Sequence, residues 1–166
     1  MRRLRTGEWV AGIASVALLA VLFLNWFGLT GAGAHRAAAL GAHTTGWASL
    51  GWFLDVLLAL TIFGAIAFTC ATVRRTSPAW PVGGSVLTSA VGWITFLVLL
   101  IRVATQPDLG IAGLPNAAVT VELPAYLGLV CAAAIPLGAW LALRDERTDA
   151  PESAYTPPPP RPVPGT

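Results

Sequence analysis

The sequence predicts an all-α fold: a transmembrane four-helix bundle with both termini on the cytoplasmic side and a disordered, proline-rich cytoplasmic tail. The first observation behind this prediction is composition. Apolar residues make up 55% of the chain and charged residues 11%, and the mean hydropathy is +0.70, a balance that soluble globular domains do not show. The second is that four apolar runs are long enough to cross the membrane as helices, which takes about 20 residues each for roughly 30 Å of hydrocarbon.

The four predicted spans lie in a central domain with a short region on either side. Residues 1–8 are predicted to be a cytoplasmic N-terminus, residues 9–143 the transmembrane domain, and residues 144–166 the cytoplasmic tail. The spans cover residues 9–28, 50–73, 82–101 and 123–143. The link "RRTSPAWP" between the second and third spans is very short, and its two prolines end one helix and begin the next. These two spans are therefore predicted to be antiparallel neighbours.

Arginines give the orientation, since the chain contains no lysine. Seven arginines lie next to the span ends that are predicted to be on the inner side: Arg2, Arg3, Arg5, Arg74, Arg75, Arg144 and Arg147. Only Arg36 and Arg102 fall on the opposite side, and cytoplasmic segments carry the excess of positive charge. The sequence thus predicts a multi-pass protein of the plasma membrane with both termini inside.

The N-terminus also resembles a secretory signal. "MRRLR", the following apolar stretch and "GAGA" at residues 31–34 imitate its charged, apolar and cleavage regions. The apolar stretch is long for a signal core, however, and about ten residues separate its end from the cleavage-like site. A retained first span is the favoured interpretation.

The segments outside the spans are too small to form domains. Residues 29–49 and 103–121 are predicted to lie over the outer ends of the helices. The tail is charged and then rich in proline, a composition that cannot build a core. Its "PPPPRP" at residues 157–162 fits either a solvated spacer, which is favoured, or a polyproline docking segment.

Small residues recur within the spans at spacings that would let helices approach closely. The three stripes are Gly84, Thr88 and Gly92; Thr61, Ala65 and Thr69; and Gly128 with Ala132. Two interpretations are open: the stripes mark contacts between helices, or they reflect only the Ala-rich and Gly-rich composition of the spans. Pro136 is expected to bend the fourth span, because it cannot donate to the carbonyl of Ala132. Tryptophans are expected at the interfaces: Trp9, Trp80 and Trp140 inside, and Trp26, Trp47 and Trp52 outside.

Each span carries one polar group near its outer end. At about 1.5 Å per residue from the inner boundary, Asp55 lies roughly 27 Å up, Arg102 roughly 30 Å, Glu122 roughly 31 Å and Asn25 roughly 24 Å. Arg102 continues a seven-residue seam with Thr88 and Thr95, which is expected to face a neighbouring helix.

We call these four residues the rim cluster. Asp55 is the first candidate counter-ion of Arg102 and Glu122 the second, because an unpaired charge at this depth is costly. The cluster would act either as a structural clamp, the favoured interpretation, or as a binding site for a substrate or lipid head group.

The sequence contains no pattern typical of an enzyme, so no catalytic, cofactor or metal residues are assigned. Cys70 and Cys131 form no C-x-x-C pair. His35 and His43 are eight residues apart, which matches no common metal-ligand spacing on a helix. A net charge of +2 does not suggest nucleic acid as a partner. We therefore predict a protein that is not an enzyme and has no cofactor.

Three stretches carry a resemblance. "WFLDVLLAL" from Trp52, "LVLLIRVATQP" from Leu97 and "AYLGLVCAAAIPLGAWLALRDE" from Ala125 resemble corresponding stretches of small, uncharacterised four-span membrane proteins of actinobacteria. The resemblance covers the membrane part, and implies four helices with an Asp and an Arg at the positions of Asp55 and Arg102. It implies no activity. Where that group has a segment like "LPWY", this chain has "LNWF" at residues 24–27.

The leading functional prediction is a non-enzymatic accessory or scaffold subunit of the plasma membrane, acting through protein contacts. Its expected partners are membrane lipids together with another protein or further copies of the same chain. The alternative is an oligomeric carrier of small solutes or lipids that uses the rim cluster. A carrier usually holds an ionisable group near the middle of the membrane, and the predicted spans place none at that depth.

Overall fold

The computed structural model describes residues 5–30, 34–73, 80–105, 109 and 118–148. This part of the chain is mostly helical, with one small two-stranded sheet. The elements in chain order are α1 (Thr6–Val21), β1 (Phe27–Leu29), α2 (Ala34–Ala39), α3 (Gly46–Ser49), α4 (Trp52–Val73), α5 (Trp80–Thr105), β2 (Val119–Val121) and α6 (Leu123–Thr148).

In the described part of the chain, three helices are long and apolar enough to cross a membrane. They are α4, the part of α5 from Gly83 to Thr105, and the part of α6 from Leu123 to Arg144, each 22 or 23 residues long. No more than 39% of any of these stretches is buried within the protein. Their outward faces carry large apolar side chains such as Leu60, Ile94 and Val130, each more than half exposed. An apolar surface of this extent indicates a protein embedded in a membrane.

The first predicted span differs from what the structure contains. We expected a helix over residues 9–28, but α1 has 16 residues and ends at Val21. The chain then turns: the indole Nε1 of Trp26 donates to the carbonyl of Val21 at 2.8 Å, and the backbone N–H of Trp26 bonds Thr44. Residues 27–29 form β1. An apolar run does not reveal where a helix stops when a buried turn and strand follow it.

The boundaries at the two ends of the chain also differ. α1 begins at Thr6, within the region assigned to the cytoplasmic N-terminus. α6 continues to Thr148, so the first residues of the predicted disordered tail are helical. Arg144, Glu146 and Arg147 are good helix formers, so the helix continues past its apolar part. Residues 149–166, including the proline-rich segment, lie outside the described residues.

The four long helices each pack mainly against two others. α1 contacts α4 and α6, and α5 likewise contacts α4 and α6. Phe68, late in α4, lies against Gly84, early in α5, while Thr61 and Thr95 meet further along both helices. α4 and α5 are thus antiparallel neighbours, which confirms the prediction made from the short link between them.

A small sheet lies between the end of α1 and the beginning of α6 in the fold. β1 pairs with β2 in antiparallel register, Phe27 opposite Val121 and Leu29 opposite Val119. The N–H of Glu122 donates to the carbonyl of Trp26 at 2.8 Å and extends this pairing. The described parts of the two outer segments are therefore joined by backbone hydrogen bonds, a pairing that periodicity over such short strands did not predict.

Two of the three small-residue stripes, those on α4 and α5, lie at helix contacts, whereas the stripe on α6 lies against the turn after α1. A Cβ at Gly84 would meet the Phe68 ring at 3.1 Å, and one at Gly92 would meet the Pro136 ring at 3.0 Å. Gly128 lies directly under the ring of Trp26. Trp26 itself is fully buried, so its ring packs inside the protein and does not face a membrane interface as expected.

The closest helix approach was not among the predicted stripes. In α1 and α6, Gly7 and Ala11 face Gly138 and Ala142, a small residue every fourth position on both helices. A Cβ on Gly138 would come within 2.7 Å of the Ala11 nitrogen and of the Gly7 oxygen. The two backbones are therefore in direct contact, as small-residue helix pairs in membranes allow.

Candidate functional site

The position of Arg102 is fixed by the contact between α4 and α5. The hydroxyls of Thr61 and Thr95 are 2.6 Å apart and share a hydrogen bond inside the protein. Thr88 and Thr95 are both buried, so the seam that they form with Arg102 faces inward as predicted. Arg102 lies seven residues beyond Thr95, two turns along the same face. Its side chain is half-buried, and its Nε is buried without a hydrogen-bond partner.

Asp55 lies on a different side of its helix. It sits in the first turn of α4, where its N–H donates to the carbonyl of Gly51 at 3.1 Å. At about 100° per residue, the six positions between Asp55 and Thr61 place their side chains about 120° apart. Asp55 instead shares a seven-residue seam with Thr69, which lies against Gly12 of α1. The carboxylate is therefore directed towards the α1 flank of the helix, away from α5.

This geometry explains why the expected ion pair is absent. Asp55 and Arg102 are both described, and no ion pair within 4.0 Å joins them. The Asp55 Oδ1, like the Arg102 Nε, is buried without a hydrogen-bond partner. The two charges lie at similar heights, since each is six or seven residues from the Thr61 and Thr95 contact. The ion pair was expected because the two residues lie at similar heights along their helices. The direction of the carboxylate, however, depends on the position of Asp55 around the axis of α4.

Asn25 and Glu122 make local contacts. The Oδ1 of Asn25 accepts a hydrogen bond from the Thr44 hydroxyl at 3.1 Å, in the turn after α1. Glu122 is exposed, accepts a hydrogen bond of 3.4 Å from the Thr120 hydroxyl, and lies over Gly28 of β1.

Among the described residues, no hydrogen bond or ion pair joins any two members of the rim cluster. Asp55 lies in the first turn of α4 and Arg102 in the last turn of α5, whereas Asn25 and Glu122 lie just outside α1 and α6. The sequence did not predict that two of the four would be held by the small sheet and its adjoining turn.

One buried charged residue was missed. Glu8 is 3% exposed and lies in the first turn of α1, where its Oε2 accepts a hydrogen bond of 2.9 Å from the Arg5 N–H. A carboxylate suits this position because the N-terminal end of a helix carries partial positive charge. The available signal was an acidic residue in a first turn next to the small-residue stripe of Gly7 and Ala11. The sequence prediction assigns Glu8 to the cytoplasmic N-terminus.

The remaining reactive side chains are dispersed. Cys70 is exposed on α4 and Cys131 is half-buried on α6, both as free thiols. His35 and His43 are exposed. Within the part of the chain that the structure describes, no three His, Cys, Asp or Glu side chains are grouped so that they could hold a metal ion.

Comparison with known proteins gives no family assignment: no family model, no curated protein and no solved structure matches the chain. The functional argument therefore rests on the geometry of the chain itself.

Proposed function

We propose that this chain is a four-span protein of the plasma membrane, with both termini in the cytoplasm, that acts as a non-enzymatic accessory or scaffold subunit through protein contacts. The proposal includes membership of the small four-span actinobacterial membrane proteins that three of its stretches resemble. Three helices of spanning length support the membrane location. The support for the other parts of the proposal comes from α1 and from the interior packing.

Two contacts support a fourth crossing by α1 and the residues after it. Gly7 lies against Ala142 near one end of α6, and Trp26 lies against Gly128 near the other. Those two positions of α6 are 14 residues apart, or about 21 Å along a helix. The chain from Gly7 to Trp26 thus accompanies α6 over most of its membrane length. The start of α1 and the last turns of α6 lie side by side, and the sequence next to them is rich in arginine.

The observation that carries the functional part is the packing in the middle of the helices. At that level Thr61 is hydrogen-bonded to Thr95, Gly92 is in contact with the Pro136 ring, and Ile62 and Ala132 are fully buried. A solute pathway would need polar groups lining an open space at this depth. Close packing at these positions favours a rigid body that presents its outer faces to other proteins.

The proposal is tested by photo-crosslinking in intact membranes from one outward position on each long helix. A photoreactive residue would replace Ile13 of α1, Leu60 of α4, Ile94 of α5 or Val130 of α6, all of which are exposed. The fully buried Ile62 gives the matched control position on α4. A scaffold should yield protein adducts of defined mass from one or two adjacent helices and none from Ile62.

Two results would contradict the proposal. One is a set of adducts that consists only of lipid from all four outward positions. The other is the same mixture of proteins from every position, which indicates random collision. A second copy of the chain as the adduct would identify a homo-oligomer, which is one of the expected partners.

A further inference from the structure

Arg102 lies near the end of α5, and its side chain is only half-buried. No described side chain forms an ion pair or hydrogen bond with its guanidinium. Its Nε is buried, whereas its terminal nitrogens are not among the buried unpartnered atoms, so they are the ones open to the surroundings. Both carboxylates expected as counter-ions are directed elsewhere: Asp55 towards the α1 flank, and Glu122 over the small sheet.

The depth of Arg102 matches the level of lipid phosphates. The spanning part of α5 runs from Gly83 to Thr105, and Arg102 lies eight residues beyond its midpoint, or about 12 Å. Half of the hydrocarbon core is about 15 Å thick. A long arginine side chain starting at this depth extends its charged end to the interface.

The flanking surface of α5 is suited to acyl chains. Leu97 and Ile101, on the turns beside Arg102, are 53% and 63% exposed. They form an apolar strip on the outward face of α5, and Ile101 at its upper end directly precedes Arg102 in the chain. A lipid whose tails cover this strip brings its phosphate to the arginine, and guanidinium groups recognise phosphate through charge-assisted hydrogen bonds.

We infer that Arg102 and the Leu97–Ile101 strip form an outer-leaflet binding site for the phosphate group of a glycerophospholipid. The inference rests on the proposed membrane arrangement but not on the scaffold function. It assigns to Arg102 a lipid partner in place of the expected carboxylate partner.

The test uses the full chain purified in mild detergent and native mass spectrometry of bound lipid. Three probes are titrated: phosphatidylglycerol, diacylglycerol with the same acyl chains, and inorganic phosphate. Phosphatidylglycerol should bind the unmodified chain at least tenfold more tightly than diacylglycerol. Arg102→Gln should weaken phosphatidylglycerol binding by about tenfold, the lower range for loss of a charge-assisted hydrogen bond, and leave diacylglycerol binding unchanged.

Two further variants separate the site from general effects of charge and folding. Arg102→Lys keeps the positive charge and should retain part of the affinity for phosphatidylglycerol. Asp55→Asn removes the carboxylate on α4 that lies at a height similar to that of Arg102, and it should not weaken binding. Thermal unfolding of each variant without added lipid shows whether it is folded. A photoreactive phosphatidylglycerol should label the Leu97–Ile101 strip, which locates the site.

Several outcomes would overturn the inference. They are unchanged phosphatidylglycerol binding in a folded Arg102→Gln variant, equal loss in Asp55→Asn, and inorganic phosphate binding as tightly as the lipid. The last result would assign the site to a free anion. Because membrane topology is measured separately with reporters, a chain that has four spans but lacks this lipid preference would reject only the lipid site.

Discussion

The ring of Trp26 occupies the space directly above Gly128, so that the turn after α1 packs against the first turns of α6. Trp26 is fully buried, and its Nε1 donates to the Val21 carbonyl at 2.8 Å. One indole thus bonds a carbonyl in the last turn of α1 and also packs against the backbone of another helix. The Cβ of any other residue at position 128 would overlap with the ring of Trp26.

Gly128→Val is therefore expected to destabilise the protein by about 1–3 kcal/mol, the usual cost of overpacking a filled core. Thermal unfolding in detergent measures the change. Gly64→Ala is the matched control, since no described atom lies within 4 Å of a Cβ built at that position. The control should be neutral or slightly stabilising, because alanine favours a helix more than glycine does. Equal effects of the two changes would mean that Trp26 can move aside.

The backbone contact between α1 and α6 gives a second prediction. Gly138→Ala should destabilise, since its Cβ would come within 2.7 Å of the backbone of Ala11 and Gly7, which cannot rotate away as a side chain does. Gly83→Ala, another helical glycine with open space around it in the described structure, is the control. The two variants are compared by thermal unfolding. A stable Gly138→Ala protein would show that the two helices can separate without cost.

The third prediction concerns the hydrogen bond between Thr61 and Thr95. Replacing either residue by valine keeps the shape but removes the shared bond, and a double-mutant cycle should give a coupling energy of about 0.5–1.5 kcal/mol. Thr69 bonds only its own helix, to the Ala65 carbonyl at 2.9 Å among the described contacts. The cycle of Thr69→Val with Thr95→Val should therefore give strictly additive effects. Coupling of the same size in both cycles would contradict a specific contact.

The fourth prediction follows from the separation of Asp55 and Arg102. Because no ion pair joins them, the effects of Asp55→Asn and Arg102→Gln on stability should add, with a coupling below about 0.5 kcal/mol. The structural-clamp interpretation of the rim cluster requires the opposite. Detergent unfolding of the two single variants and the double variant decides between them. A strong coupling would mean that the side chains meet in the membrane and would weaken the lipid-site inference.

The fifth prediction concerns topology. A reporter fused after Thr166 should lie in the cytoplasm, and one inserted at Gly41, an exposed residue with a positive φ, should lie outside. The same reporters placed in a variant lacking Arg2, Arg3 and Arg5 control for the charge rule, since fewer inner arginines should mix the orientations. An outer C-terminus in the unmodified chain would reject the arrangement with four spans.

Much of the helical framework could be predicted from the sequence because it depends on local properties. Long apolar runs define α4, α5 and α6, and a link too short to cross the membrane forces α4 and α5 to be antiparallel neighbours. The seven-residue spacing of Thr88, Thr95 and Arg102 correctly predicted a face directed inward. Each of these conclusions needs only helix periodicity and length.

The rim cluster shows where such local reasoning stops. Depth in the membrane follows from counting residues, so the heights of Asp55 and Arg102 could be predicted. Whether two side chains meet depends on how each helix is rotated, and that rotation is set by packing along the entire helix, for example by Thr69 against Gly12. The end of α1 likewise depends on Trp26 finding both the Val21 carbonyl and Gly128, which is about 100 residues away in the sequence.

The sequence by itself thus determined the apolar helices, the hairpin of α4 and α5 and the small-residue stripes, since composition and periodicity act over a few turns. Only the tertiary structure decided that α1 stops at Val21, that Gly7 and Gly138 bring two backbones into contact, and that Asp55 is directed away from Arg102. The physical reason is that close packing is a property of several helices together. A residue's partner depends on the shape of surfaces that lie far from it in the chain.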